Sequence, residues 1–302
     1  MGAGHGHSHG GHAGGRHRWR LATAFGLVGT FFVVELVFGL LSGSLALISD
    51  AGHMAADVVA LGAALAATKI ATRPDTTGRR TYGSYRAEIF ASGLTVLIML
   101  GVAAYVVVEA IGRLGARVEV EAGPMLVVGA IGLAINVVSM VLLRGGAEES
   151  LNVKGAYYEV VADAAGSVGV VAAGVLVVLT GDGWWDTVVA VAIGAFVAVR
   201  AVLLGREVLA VLGQHVPQGM TVDELVDDLA GVPGVADVHD LHVWTLTSGM
   251  HVATAHLVLA DGEDAQAVLD GARRVLREKH AVEHATLQVE ARVTRECEET
   301  TW

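Results

Sequence analysis

Two pairs of ionisable residues stand inside apolar sequence. His53 and Asp57 lie in LISDAGHMAADVVAL, and Glu159 and Asp163 lie in YYEVVADAAGSVGVV. Each pair is spaced i, i+4, which stacks both side chains on one helix face. A charge at the centre of a membrane helix costs about 2.5–3.5 kcal/mol on insertion scales, so such residues call for a function. Two helices that each offer two ligands can close a four-coordinate site around one divalent ion. Zinc accepts imidazole nitrogen and carboxylate oxygen in this tetrahedral arrangement. Three carboxylates in one apolar pocket repel one another, and a cation explains why they are tolerated. The plainer alternative is hydrogen bonding between helices, which fits any one of the four residues alone but not their paired spacing.

Other polar residues in the apolar stretches carry weaker signals. Glu35 either pairs with a basic residue or hydrogen-bonds neighbouring helices, and structural glue and an ion path fit it equally. Asp50 either steers ions or favours a helix N-terminus. Glu88 beside Arg86 reads as an interface pair, and Asn136 and Ser167 as a bridge between helices.

Positioning such residues takes long apolar helices, about 20 residues for each crossing. Six stretches qualify: Leu21–Leu41, Leu45–Ala71, Ala87–Ile111, Pro124–Leu143, Tyr157–Thr180 and Trp184–Leu204. The first carries Glu35 and is too long for a cleaved signal peptide. An even number of spans puts both termini on one side, and basic residues in short flanks choose it. Arg16, Arg18 and Arg20 precede the first span, and Lys69, Arg73, Arg79, Arg80 and Arg86 follow the second. Arg144, Lys154 and Arg206 lie on that side too, whereas the other has only Arg113 and Arg117, offset by Glu119 and Glu121. Both termini are expected in the cytoplasm of a multi-pass protein of the cell membrane.

Composition agrees. Of 302 residues, 53% are hydrophobic and 17% charged, well below the roughly 25% charged of a soluble domain. The net charge of -11 speaks against a nucleic-acid partner, and the single cysteine, Cys297, excludes disulfides and a four-cysteine zinc site. No phosphate-binding loop pattern suggests ATP coupling, and no enzyme activity or prosthetic group is expected.

After Gln214 the pattern changes. Thr221–Leu229 has helical periodicity with a capping-box pair, Thr221 and Glu224. Val235–Thr247 and His251–Leu259 alternate like strands around the turn Ser248–Gly249. Asp264–Lys279 reads as a helix and Ala285–Val293 as a third strand, giving a small α+β domain with two helices on one sheet face. His239, His242 and His256 fall on the two paired strands and His284 precedes the third, and alternating strand positions can place several imidazoles on one sheet face. His215, His251 and His280 read as surface histidines. The N-terminal GHGHSHGGHAGGRH lacks core-forming residues and is expected to be a disordered arm that captures metal transiently.

The stretches SGSLALISDAGHMAADVVAL, RRTYGSYRAEIFASG, NVKGAYYEVVADAAGSVGVV, VHDLHVWTLTSG and HATLQVE together resemble the cation diffusion facilitator family, zinc-transporting type. The resemblance covers residues 19–294. It implies a six-helix membrane bundle with a C-terminal cytoplasmic ferredoxin-like domain, a homodimer, and exchange of divalent metal for protons by alternating access. The expected divisions are 1–18 (arm), 19–206 (spans), 207–294 (cytoplasmic domain) and 295–302 (tail). The family's membrane site maps onto His53, Asp57, Glu159 and Asp163. Its cytoplasmic metal ligands map onto His239 and His256 first, then Glu290 and His242, then His284. Close zinc-transporting relatives usually have histidine where Glu159 stands, so this site is richer in hard oxygen donors. Some members bind metal in the loop after the second span; here Thr72–Tyr85 has Asp75 and no histidine. The expected function is proton-coupled export of divalent metal, zinc first, with cadmium, cobalt or iron as companions. The rivals are a membrane-bound metal sensor or buffer without translocation, and a passive channel.

Overall fold

A computed structural model describes the backbone of residues 18–70, 80–147 and 151–292, with side chains over 25–59, 62, 80–141 and 160–292. The N-terminal histidine arm, Asp75, the side chain of Glu159 and Cys297 lie outside these described residues.

Six long helices come first: α1 (Arg18–Ser42), α2 (Leu45–Ile70), α3 (Ala87–Gly112), α4 (Ala122–Ala147), α5 (Leu151–Thr180) and α6 (Trp184–Leu212). They match the six expected spans, with α4 and α5 starting earlier and α6 running eight residues further. Among the described residues, α1, α3, α4, α5 and α6 are long and apolar enough to cross a membrane; α2 is only partly described. Within this unit α1 packs on α2 and α4, and α5 on α4 and α2. The shared core joins Leu45 and Leu47 of α2, Val106 of α3, Met125 of α4, Val170 of α5 and Ala190 of α6. Large apolar side chains such as Leu97, Val108, Val141, Leu179 and Leu203 remain exposed. In a bilayer they meet acyl chains, so cohesion falls to close packing and internal hydrogen bonds. Gly166 on α5 provides one close approach: a Cβ there would lie 2.8 Å from Asp50 Oδ1.

A fully buried carboxylate fastens one end of this unit. Asp186 of α6 accepts from Ser44 Oγ (2.6 Å) and from the backbone N–H of Leu45 (2.7 Å) and Ala46 (3.0 Å), capping α2. Arg113, just past α3, donates to Asp186 (3.1 Å) and to the Gly43 carbonyl (3.1 Å). Elsewhere Asn136 donates to Ser167 (3.4 Å), bridging α4 and α5 as expected. Glu35 meets a neighbouring helix, one of its two expected roles, through an acid rather than a base. It is buried against another acid, Asp50, and one of its oxygens has no hydrogen-bond partner. That pairing follows from α1 and α2 packing side by side with both acids turned inward.

Of the described residues, 80–89 and 206–292 form the second compact unit. Its elements are α7 (Val222–Ala230), β1 (Val235–Thr247), β2 (Met250–Leu259), α8 (Ala265–His280) and β3 (His284–Glu290). The sheet order is β1-β2-β3, with β1 antiparallel and β3 parallel to β2. Leu225 and Leu229 of α7 and Val268, Ala272 and Leu276 of α8 share one core with Ala253, Ala255 and Leu257 of β2. Burying each of these leucines contributes about 1.5–3 kcal/mol. Because strand side chains alternate, the intervening His256 turns to the opposite face.

Caps finish the helices unevenly. Asp264 caps α8 by accepting from the Ala267 N–H (2.8 Å). The expected capping box on α7 is not formed: Thr221 faces Glu224 at 3.5 Å, and its side chain bonds no backbone N–H. Asp228 of α7 binds Lys279 and His280 at the end of α8, and the Lys279 hydrogen bond holds its carboxyl below the usual carboxylate range. Thr247 donates to Glu88 (2.8 Å), and Tyr82 meets His284 edge-on at 5.4 Å.

Candidate metal centres

The first centre lies between α2 and α5. His53 and Asp57 share a face of α2, as their spacing requires, and Asp163 approaches from α5. One ligand atom from each lies within 4.8 Å of the others. His53 Nε2 is 3.1 Å from Asp163 Oδ1, and His53 is buried. The same nitrogen is 3.1 Å from a guanidinium nitrogen of Arg200 on α6. The other ring nitrogen, Nδ1, is buried without a hydrogen-bond partner. Glu159 belongs to α5 one turn before Asp163, but its side chain is outside the described residues.

The second centre lies on the open face of the three-stranded sheet. His239 and His256 are direct partners across β1 and β2, and Glu290 stands at the end of β3. These three form the other group with ligand atoms within 4.8 Å. His256 Nδ1 is 3.0 Å and His239 Nε2 is 3.7 Å from the carboxylate of Glu290, which is buried. Both ring nitrogens of His239 and Nδ1 of His256 are buried without a hydrogen bond. Buried polar atoms are nearly always satisfied, so convergent orphan nitrogens beside a carboxylate suit a divalent cation.

The two remaining sheet candidates stand apart from this group. A β-bulge between His239 and His242 inserts a residue, with Asp240 at φ 51°. The bulge turns His242 to the His256 side of the sheet, yet it is exposed and bonds Asp240 (3.0 Å). His284 pairs with Val252 at the far end of β3 and packs against Tyr82. Two residues not foreseen adjoin the centres. Arg200 is a lone cation within FVAVRAVLL and obeys the same rule that singles out His53. Asp240, with Oδ2 at 3.7 Å from His256 Nε2, had no signal beyond its neighbours.

Residues 21–212 match the family model for the cation efflux transmembrane domain, and residues 217–292 match that for the cation efflux protein cytoplasmic domain. The chain belongs to the cation diffusion facilitator family. Among members, it is 44% identical over 291 residues to the metal cation efflux system protein CzcD of Cupriavidus metallidurans, covering 96% of this chain and 90% of that protein. It is 35% identical over 273 residues to the zinc transporter ZitB of Escherichia coli, covering 90% and 87%. It is 30% identical over 287 residues to the cadmium, cobalt and zinc/H(+)-K(+) antiporter of Bacillus subtilis, covering 92% and 91%. A solved structure of the metal-bound C-terminal domain of the CzcD transporter is 33% identical, covering 24% of this chain and 99% of that chain, with a TM-score of 0.23. Membership in this family makes the chain a multi-pass membrane protein of the cation efflux type.

Proposed function

We propose that this protein exports divalent metal from the cytoplasm in exchange for protons, with zinc as the principal substrate. The observation that carries the reading is the convergence of His53, Asp57 and Asp163 inside the helical unit. A sensor or buffer has no need of ligands at that depth. In this reading Glu159 supplies the fourth donor, and the site is a seat for cargo rather than for a resident metal. Metal ligands must be deprotonated, so arriving metal displaces protons and returning protons displace metal. The names of the relatives, which include a zinc transporter and an antiporter, support the same substrate class.

The soluble unit then tunes transport. His239, His256 and Glu290 hold a metal that brings together the acidic C-terminal domains of a homodimer, and both termini are cytoplasmic. Zinc flux into inside-out vesicles tests the whole reading. An exchanger follows an imposed pH gradient, a sensor gives no flux, and a channel ignores the gradient except through its voltage. Alanine at His53, Asp57 or Asp163 should lower zinc flux at least roughly tenfold, in keeping with the loss of a direct ligand. Full flux in Asp57→Ala would remove this group from the transport path.

A further inference from the structure

We propose that a pocket between residues 80–86 and the open face of the sheet seats the phosphate headgroup of an anionic membrane lipid. The pocket belongs wholly to the second unit and has a volume of about 290 Å³. That is close to the lower end of ordinary ligand pockets, about 300 Å³. Its lining includes Arg80, Tyr82, Tyr85, Arg86, Gln214 and Trp244, and none of the described residues that line it is acidic.

The strand register builds one wall. Val243 enters the core beneath the helices, so Trp244 alternates to the open face of the sheet. Two contacts hold the segment before α3 on this unit: Thr247 donates to Glu88, and Tyr82 meets the His284 ring. The segment itself is tightly turned. The Gly83 N–H donates to the Arg80 carbonyl (2.9 Å) and the Ala87 N–H to the Ser84 carbonyl (3.0 Å). Gly83 stands at φ 70°, which a glycine adopts without strain. The Arg80 guanidinium donates to Ser84 Oγ (2.8 Å), so one folded turn carries both arginines.

The lining chemistry suits a phosphate. Each guanidinium is a permanent cation with only donors, in a fork that matches two phosphate oxygens. Tyrosine hydroxyls and the indole N–H of Trp244 add further donors. The chain carries a net charge of -11 and repels anions at long range, so a cup with two cations and no acid stands out against it. Chain continuity favours a lipid as the source. Arg86 directly precedes α3, whose whole length, Ala87–Gly112, is apolar enough to cross a membrane. The arginines therefore stand where a bilayer places its headgroups, the level at which tyrosine and tryptophan also concentrate. Basic pockets at that level attract anionic lipids. A soluble anion would meet the same donors, but only a lipid is delivered there by the bilayer itself.

The test uses full-length protein in nanodiscs of phosphatidylcholine, alone or mixed with phosphatidylglycerol. Native mass spectrometry of lipid adducts gives the preference for phosphatidylglycerol in wild type, Arg80→Gln, Arg86→Gln and the double variant, each checked for folding by its melting curve. Losing one charge-assisted pair should lower the preference roughly tenfold, and losing both roughly a hundredfold. Arg206→Gln, an exposed residue outside the pocket, should lower it no more than about fivefold, through general surface attraction. A loss in the double variant no greater than in Arg206→Gln overturns the pocket. Wild-type protein with a headgroup-photoactivatable phosphatidylglycerol keeps the test open if a variant misfolds. Crosslinks should map to residues 80–86 or Trp244, and crosslinks only elsewhere overturn the proposal. Inorganic phosphate that binds in phosphatidylcholine alone and abolishes those crosslinks would make the ligand a soluble anion, which also overturns it. None of these readouts involves metal, so failure of the transport reading would leave this inference standing.

Discussion

His239 and His256 are direct cross-strand partners, and their rings meet edge to face with centroids 5.2 Å apart. Neither ring uses the contact to satisfy its buried nitrogens; His239 Nε2 and His256 Nδ1 instead converge on Glu290. A bound metal would therefore stabilise this unit through mass action. At a free zinc concentration one hundred times Kd, the gain is about 2.7 kcal/mol. Chelator should lower the melting temperature of the soluble unit within the full-length protein, and Glu290→Gln should abolish the chelator effect. A chelator shift that survives Glu290→Gln would place the metal elsewhere.

Asp240 supports the sheet site through its backbone. Its φ of 51° is a left-handed conformation that a branched residue adopts poorly. Asp240→Val should cost about 1–3 kcal/mol, read as a loss of melting temperature, and should disturb the His239–His242 bulge. Asp240→Gly relieves the backbone and should leave stability near wild type. Equal losses in both variants would assign the effect to the side chain, through its His242 hydrogen bond.

Asp186 should be among the most sensitive positions in the helical unit. Truncation removes an N-cap and leaves the Arg113 guanidinium, itself largely buried, with only the more exposed carboxylate of Glu109 at 3.4 Å. Breaking a buried pair from one side typically costs about 3–5 kcal/mol. Asp186→Ala should unfold far earlier than wild type in a detergent melting assay, and Asp186→Ala with Arg113→Met should recover part of the loss. A double variant no better than the single one would show that capping alone carries the effect.

In the proposed function Glu159 supplies the fourth donor and would set the ligand character of the intramembrane site. An additional carboxylate makes the donor set harder, so discrimination against oxygen-seeking ions such as manganese or iron should be weak. Glu159→His should sharpen preference for zinc while preserving flux, and Glu159→Ala should impair flux. Competition transport assays with paired metals measure both. Unchanged metal ratios in both variants would place Glu159 outside the direct ligands.

The helices and strands were legible because hydrophobic period is a local signal, and so were His53 and Asp57, whose spacing alone puts them on one face. Partners contributed by distant elements were not. Arg200 is visible as a charge in an apolar stretch, but that it meets His53 depends on how α6 packs, which no window of sequence encodes. That Glu35 bonds a neighbouring helix was open in the sequence, but that the partner is Asp50 rather than a base depends on the packing of α1 against α2. Strict alternation puts His239 and His242 on opposite faces, and only the bulge at Asp240 overrides it. Thr221 and Glu224 had the residue types of a capping box, yet their side chains face each other rather than the backbone.

The clasp at Asp186 also sets how α2 can act as a lever. Its N-terminal end is held by Ser44, Leu45 and Ala46 against α6, with Arg113 closing the knot. A rod pinned there has its fulcrum at Leu45, and displacement grows with distance along it. At 1.5 Å per residue, His53 lies about 12 Å and Asp57 about 18 Å from the pivot. A tilt of roughly 10° would carry them about 2 Å and 3 Å, respectively. The two side chains on α2 would then part from Asp163 by unequal amounts, with Asp57 moving farther for any given swing.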